Sequence, residues 1–257
     1  MNKDNFFNTY NNNKNMKQIY RKDDNQYKYM PIFEHLNELR SRLISSFMIF
    51  VITLIVCIIY TKKITLILQQ PAIGIKFLQL APGEYLFVSI KISLYSAIII
   101  SSPFSIYQIL QFILPGLTQK ETLYIVPILV SSIILFFVGT FFSYKFLIPV
   151  TLQFLIKYGS ELIEPMWSFD EYFNFVTLII LSTGLCFQIP IIQIILGVTN
   201  IVKWEQMLNT WKYIAFIATI TGAIITPSTD PITQICMTTT ILILYFGGII
   251  ILKIIKT

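Results

Sequence analysis

The sequence predicts an all-α polytopic membrane protein with six transmembrane helices, the fifth of them short. Between Leu43 and Leu252 a series of long apolar runs contains only two charged residues, Lys91 and Lys145. Most runs approach the roughly 20 residues that a helix needs to cross about 30 Å of hydrocarbon. Backbone polar groups in lipid must be paired within the segment, so these runs predict helices. The runs are Leu43–Tyr60, Leu86–Leu114, Ile125–Ile148, Phe173–Thr199, Tyr213–Ile225 and Ile232–Leu252.

Composition supports a single helical membrane domain over residues 31–257. Of the 257 residues, 55% are hydrophobic and 12% are charged, whereas soluble domains carry about a quarter charged residues. The net charge of +6 comes from basic residues spread over the ends of the predicted helices. This distribution excludes the clustered basic face of a nucleic-acid-binding protein.

Residues 1–30 form a polar tail rich in Asn and Lys, and we expect this tail to be disordered. The tail has no apolar stretch of the kind found in a cleavable secretory signal. It also lacks serine and contains Asp4, Asp23 and Asp24, which is unlike an organellar transit peptide. The sequence therefore predicts insertion through the first span, in a bacterium or inside an organelle.

The distribution of basic residues predicts the orientation. Six spans place both termini on one side of the membrane, and most Lys and Arg residues fall on that side. The opposite side holds only Lys62, Lys63, Lys76, Lys145 and Lys157. The positive-inside rule then puts both termini in the cytoplasm or stroma. We call this the inner side and the opposite side the outer side.

The fifth run and the prolines shape the predicted bundle. Tyr213–Ile225 is short enough to be either a span or a buried helix, but without it Lys253 and Lys256 would lie on the outer side. Pro149 is expected to end the third span. Pro103 and Pro190 are expected to kink their helices, because proline lacks the N–H and its ring clashes with the preceding turn. Kinked helices predict a bundle with a concave side.

An amphipathic helix is predicted immediately before the first span, from Pro31 to Leu43. Its apolar residues recur at helical spacing, and His35, Glu38 and Arg42 share another face. One interpretation is a simple interfacial anchor with a Glu38–Arg42 pair worth about 0.3–0.5 kcal/mol. The alternative is a binding face.

A second acidic residue, Glu121, lies in the loop after Phe112 and on the same predicted side as Glu38. Two carboxylates near the interface, with Phe112 close by, would form a receptor for a cationic segment followed by an apolar one. Alternatively, Glu121 is a solvated loop charge.

Several motifs in this order resemble the TatC family, the polytopic core of the twin-arginine protein translocase. They are HLNELRSRL before the first span, PFSIYQILQFILPGLTQKE around the first inner loop, and STGLCFQIP followed by TPSTDPITQ. The resemblance covers about Pro31 to Leu252, and the sequences of the motifs are most similar to those of the plastid and cyanobacterial branch. It implies an integral membrane protein of the thylakoid, or alternatively of a bacterial plasma membrane or mitochondrial inner membrane.

The resemblance implies a receptor for folded proteins that carry a twin-arginine signal peptide. It also implies that their transport is driven by the proton-motive force. In the family, the acidic residues matching Glu38 and Glu121 face the paired arginines, and the position of Phe112 lies beside them. Arg40 and His35, from the first motif, are further candidate contacts. Single-span TatA- and TatB-type subunits are the implied partners, within an oligomeric receptor complex. No enzymatic activity and no cofactor or metal are expected.

Two polar positions have two interpretations each. Gln188 stands where many relatives carry Glu; it is predicted either to form an interhelical hydrogen bond or to dock a partner subunit. Asp230 is either a charge suited to the N-terminus of the last helix or a partner contact.

A small-solute secondary transporter is the alternative function. It would need polar groups converging at the midplane and repeated halves, and only Gln188 and Gln193 lie there.

Overall fold

The computed structural model describes residues 32–72, 74–113, 125–159, 166–225 and 231–256. The chain divides into two compact units on either side of the Ile44–Ser45 bond. The helices are α1 (Ile32–Gln69), α2 (Glu84–Ile113), α3 (Ile125–Phe142), α4 (Ile148–Gly159), α5 (Phe169–Cys186), α6 (Ile189–Val198), α7 (Trp204–Asn209), α8 (Trp211–Ile225) and α9 (Pro231–Lys256). The described residues also contain two three-residue strands, β1 (Lys76–Leu78) and β2 (Met166–Ser168).

The predicted helical membrane fold is confirmed. Within the described residues, five helical segments are long and apolar enough to cross a membrane: Leu36–Ala72, Glu84–Phe112, Val126–Tyr158, Phe169–Val198 and Pro231–Ile255. The expected fifth span is α8, whose 15 residues extend about 22 Å at 1.5 Å per residue. That length is less than the hydrocarbon thickness of about 30 Å, so its crossing stays a prediction.

Within the second unit, α1 is held at its outer end. The Thr61 and Ser93 hydroxyls share a hydrogen bond of 2.6 Å, and the hydroxyl of Tyr172 donates to the carbonyl of Leu68 at 2.8 Å. Nearer the middle of the helix, large apolar side chains such as Ile52 and Ile59 are exposed. Such exposure suits a helix whose surroundings are lipid or other membrane helices, because apolar surface there is not in contact with water.

The third span continues past Pro149, contrary to the sequence prediction. A π-helical turn, Ser143–Leu147, joins α3 to α4, and the helical path runs on to Gly159. A proline leaves the carbonyl four residues earlier without its usual donor. That carbonyl belongs to Lys145, inside the wider turn, and a π-turn changes the hydrogen-bond register locally. The chain therefore accommodates Pro149 by widening one turn instead of ending the helix.

The fourth span is broken rather than kinked. Helix α5 ends at Cys186, and α6 begins at Ile189 with Pro190 in its first turn. Proline is tolerated there because the first N–H groups of a helix have no intrahelical partner. The expectation that Pro190 lies inside one continuous helix is therefore wrong. The kink predicted at Pro103 lies inside α2, while the concave side of the bundle stays a prediction.

The core of the second unit lies at the outer ends of α2, α4 and α5. Val88, Ile148, Phe173 and Val176 are almost fully buried in it. Beside this core β1 pairs with β2 in parallel, with Phe77 opposite Trp167. The aromatic rings of Phe77 and Tyr172 approach to 4.8 Å between centroids. The small sheet thus connects the segment before α2 to the start of α5.

Cysteine labelling from either side tests the six-span topology. A cysteine at Lys62 is expected to react from the outer side, and cysteines at Asn12, Lys203 and Lys256 from the inner side, because six crossings return the chain to its starting side. A membrane-impermeant maleimide applied to sealed vesicles of each orientation reports the side. Labelling of Asn12 and Lys256 from opposite sides would show that α8 does not cross.

Candidate functional site

Glu38 is the described member of the predicted receptor, and its two carboxylate oxygens differ. Both Nε and a terminal nitrogen of Arg42 donate to Oε1, at 2.9 and 2.5 Å. Oε2 is shielded from solvent and has no hydrogen-bond partner among the described residues. Both side chains are 22% exposed. The pair at i, i+4 is therefore formed as predicted, and it leaves one oxygen able to accept a further donor.

The other predicted signal-peptide residues are only partly described. Arg40 is exposed on α1, and Phe112 is half-buried in the last turn of α2. His35 belongs to α1, but its side chain lies outside the described part of the chain. Glu121 and Asp230 lie outside the described residues altogether, so their predicted roles stay predictions.

Gln188 lies at the break in the fourth span, and its side chain is bonded to α3. Its Nε2 donates to the backbone carbonyl of Ser132 at 3.1 Å, and the Ser132 hydroxyl donates to its Oε1. Close packing supports this contact, because a Cβ at Gly139 would come within 2.7 Å of the Phe187 ring. Of the two alternatives from the sequence, the interhelical hydrogen bond is therefore present. Partner docking at Gln188 stays a prediction.

Replacing Gln188 by leucine is expected to lower stability modestly, by about 0.6 kcal/mol and at most about 1.7 kcal/mol, the range of interhelical hydrogen bonds in membranes. Ser132→Ala removes only the hydroxyl bond to Oε1 and should cost no more than Gln188→Leu. The double variant should cost less than the sum, because both single changes remove that bond. The measurement is reversible unfolding in detergent. Strict additivity of the two single changes would contradict a shared contact.

A polar network missed by the sequence analysis lies at the outer ends of α2 and α5. Glu84 is buried and accepts the backbone N–H groups of Leu80, Ala81 and Asp170 at 2.5, 3.0 and 2.9 Å. The Asp170 carboxylate accepts a 2.7 Å hydrogen bond from Lys91. The network joins two helix N-termini, where carboxylates are favoured by the helix dipole. Its contacts are internal, which indicates a structural role for Lys91.

The amino-acid sequence contains only a weak indication of this polar network. Glu84 follows a Pro-Gly turn and Asp170 precedes an apolar run, and both are typical of a first helical turn. The contact between them joins residues 86 positions apart in the chain, and no local sequence pattern predicts such a contact.

Among the described residues, no group of three or more His, Cys, Asp or Glu side chains could hold a metal ion.

Comparison with known proteins identifies relatives along most of the chain. Residues 34–239 match the family model described as Sec-independent protein translocase protein (TatC). The chain is 62% identical over 227 residues to the tatC-like protein ycf43 of Gracilaria tenuistipitata var. liui, covering 88% of this chain and 95% of that protein. It is 43% identical over 223 residues to the chloroplastic Sec-independent protein translocase protein TATC of Oryza sativa subsp. japonica, covering 86% and 62%.

A solved structure has the same fold. The crystal structure of the twin arginine translocase receptor TatC matches with a TM-score of 0.79 at 35% sequence identity. The match covers 87% of this chain and all of that one.

Proposed function

Because the chain belongs to the TatC family of Sec-independent protein translocase proteins, we propose that it is the translocase subunit that binds twin-arginine signal peptides. The cargo would be folded precursor proteins, and transport would depend on the proton-motive force. The family match favours this function over the small-solute secondary transporter. It also indicates a transport role rather than an enzymatic one.

The observation that carries the proposal is the unpaired oxygen of Glu38. A shielded carboxylate oxygen without a donor costs about 1–3 kcal/mol or more relative to a bonded one, so a donor from a ligand would be favoured. A guanidinium supplies donors in a planar fork that matches a carboxylate, whereas a lysine ammonium is a point charge. Two nitrogens of Arg42 already donate to Oε1 alone, so Oε2 would be the oxygen available to a guanidinium of the signal peptide.

The rest of the proposed receptor comes from the sequence. Glu121 is predicted on the same side as Glu38 and would bind the second arginine. Phe112 would contact the apolar stretch that follows, with Arg40 and His35 as neighbouring contacts. TatA- and TatB-type single-span subunits would assemble with the membrane helices, with Gln188 and Asp230 as candidate contacts. The protein would act as an oligomer within a receptor complex.

The protein is an integral membrane protein, and its location is the plastid thylakoid membrane. Five described helical segments meet the length and hydropathy of membrane spans. The relatives include tatC-like ycf43 proteins, and the relative of Oryza sativa subsp. japonica is chloroplastic.

Site-specific crosslinking to a precursor tests the proposed function. With a photoreactive residue at Leu39, beside Glu38, a twin-arginine precursor should crosslink, and a twin-lysine precursor should crosslink much less. The same residue placed at Lys62, on the outer side, should not capture the signal peptide's charged segment and serves as the control. Equal crosslinking of the arginine and lysine precursors at Leu39 would contradict arginine recognition there.

A further inference from the structure

Arg42 carries the same functional group as the arginines of a twin-arginine signal peptide. Its guanidinium donates from Nε and from a terminal nitrogen to Oε1 of Glu38, at 2.9 and 2.5 Å. A signal-peptide arginine would bind the same carboxylate through the same kind of donor. The contact proposed between Glu38 and the signal peptide therefore has an internal counterpart within helix α1.

The geometry of the pair leaves half of the carboxylate unused. A guanidinium fork binds a carboxylate bidentately when its two parallel N–H groups each meet one oxygen. Arg42 instead directs both donors to Oε1, while Oε2 is shielded from solvent and has no hydrogen-bond partner among the described residues. A signal-peptide arginine that binds beside Arg42 is thus limited to Oε2. The complete fork forms only after Arg42 has left Oε1.

Charge acts in the same direction as geometry. Arg42 neutralises Glu38 in the absence of a signal peptide, and it would be a like charge beside an incoming guanidinium. Like charges a few ångströms apart repel, and the repulsion is larger where the groups are partly screened from water. Both side chains are only 22% exposed. Arg42 therefore opposes binding for as long as it stays on the carboxylate.

The Arg42–Glu38 pair can open without a change in the backbone. Residues four apart on a helix meet side by side, and such pairs contribute little to stability. The Arg42 side chain can leave by rotation about its own bonds, because α1 is one continuous helix from Ile32 to Gln69. Displacement of Arg42 therefore costs little free energy, and Arg42 stays close enough to return to Oε1.

We propose that Arg42 is an internal competitor of the signal peptide, and that it limits both the affinity and the arginine selectivity of Glu38. On binding, a signal-peptide arginine displaces Arg42 and forms a fork with both carboxylate oxygens. On release, Arg42 returns to Oε1. Arg42 acts through Glu38 and is a positioning residue. This inference rests on the proposed signal-peptide receptor.

The affinity of an Arg42→Gln variant for two signal peptides tests the proposal. Fluorescent twin-arginine and twin-lysine peptides are titrated separately into the purified full chain. Arg42→Gln should bind the twin-arginine peptide about three- to tenfold more tightly, mainly through slower dissociation. The twin-lysine peptide should gain about twofold at most, because an ammonium is a point charge that cannot form the fork. An unchanged ratio of the two affinities would overturn the proposal.

Two further variants test whether Arg42 acts through the carboxylate. Arg42→Lys keeps the charge but loses the two-donor contact, so its affinity for the twin-arginine peptide should lie between those of the wild type and Arg42→Gln. Glu38→Gln combined with Arg42→Gln should bind no better than Glu38→Gln alone, because the two residues share one contact. A gain from Arg42→Gln that persists without the Glu38 carboxylate would overturn the competition.

Lys212→Gln is the control for net charge. Lys212 is an exposed lysine on the predicted inner side, and its removal changes the net charge by the same amount as Arg42→Gln. Its variant should keep the wild-type affinity, and a gain equal to that of Arg42→Gln would overturn the specific role of Arg42.

The proposed receptor and the role of Arg42 fail in distinguishable ways. Unchanged affinity in Glu38→Gln would contradict the receptor itself. Weaker binding by Glu38→Gln, together with unchanged or weaker binding by Arg42→Gln, would overturn only the competition by Arg42.

Discussion

Glu38→Gln and Glu121→Gln are each expected to weaken binding of a twin-arginine signal peptide by more than tenfold, and the double variant should bind at background level. Removing one partner of a charge-assisted, bidentate hydrogen bond typically costs a few kcal/mol, and 1.4 kcal/mol corresponds to a factor of ten. Glutamine keeps the shape of the side chain, so a loss of affinity reports the charge. The measurement is the affinity of the purified protein for a fluorescent signal peptide.

Two control variants separate recognition from structure. Arg42→Gln removes the internal partner of Glu38 without removing the carboxylate. If Glu38 matters only as half of that pair, Arg42→Gln should weaken binding as much as Glu38→Gln does. Glu205→Gln removes an exposed inner-side acid outside the motif, and it should have no effect. Wild-type affinity in the Glu38, Glu121 double variant would reduce both residues to surface charges.

Gly248→Ala is expected to lower the free energy of unfolding by about 1–3 kcal/mol, the usual cost of overpacking. A Cβ at this position would overlap Oε1 of Gln193 and lie 2.9 Å from the Cα of Pro190. The first contact involves a side chain, but the second involves the backbone of α6, which cannot move without separating the helices. Small residues that allow such close approach are typical of packing between membrane helices.

The neighbouring glycine provides a matched control. A Cβ at Gly247 would meet nothing within 4 Å, so Gly247→Ala should be neutral or stabilising by up to about 1 kcal/mol, the helix-propensity difference. Adding Gln193→Ala to Gly248→Ala should restore stability only in part, because the Pro190 contact remains. Thermal unfolding of the four proteins in one detergent gives the comparison. Equal effects at Gly247 and Gly248 would contradict close packing of α6 on α9.

Apolar runs predicted the membrane helices, but they could not predict how prolines are accommodated. Pro149 and Pro190 have the same local chemistry. The sequence analysis predicted that Pro149 ends the third span and that Pro190 kinks the fourth. The structure instead has a π-turn before Pro149 and a helix break before Pro190. The outcome depends on neighbouring helices: Gln188 at the break bonds to Ser132 of α3. Such a contact, 56 positions apart, lies beyond any local pattern.

In the candidate site, too, the sequence predicted one feature, and others are visible only in the structure. The spacing of Glu38 and Arg42 predicted their ion pair, because residues four apart share a helix face. The exposure of each oxygen could not be predicted, since it depends on the groups that surround the carboxylate. The amide of Gln193 is another case: it is buried without a hydrogen-bond partner among the described residues, and its oxygen lies against Gly248 of α9.

By itself, the sequence determined the helical membrane fold, the amphipathic helix before the first span and the membership of the TatC family. These follow from hydropathy, helical spacing and motif order, which are properties of contiguous residues. Only the tertiary structure decided the parallel pairing of Lys76–Leu78 with Met166–Ser168 and the Glu84 network. Each of these joins residues far apart in the chain, and strands of three residues carry no signal of their own. Local free energies are too small to specify such contacts, so they form only where the packed helices bring their partners together.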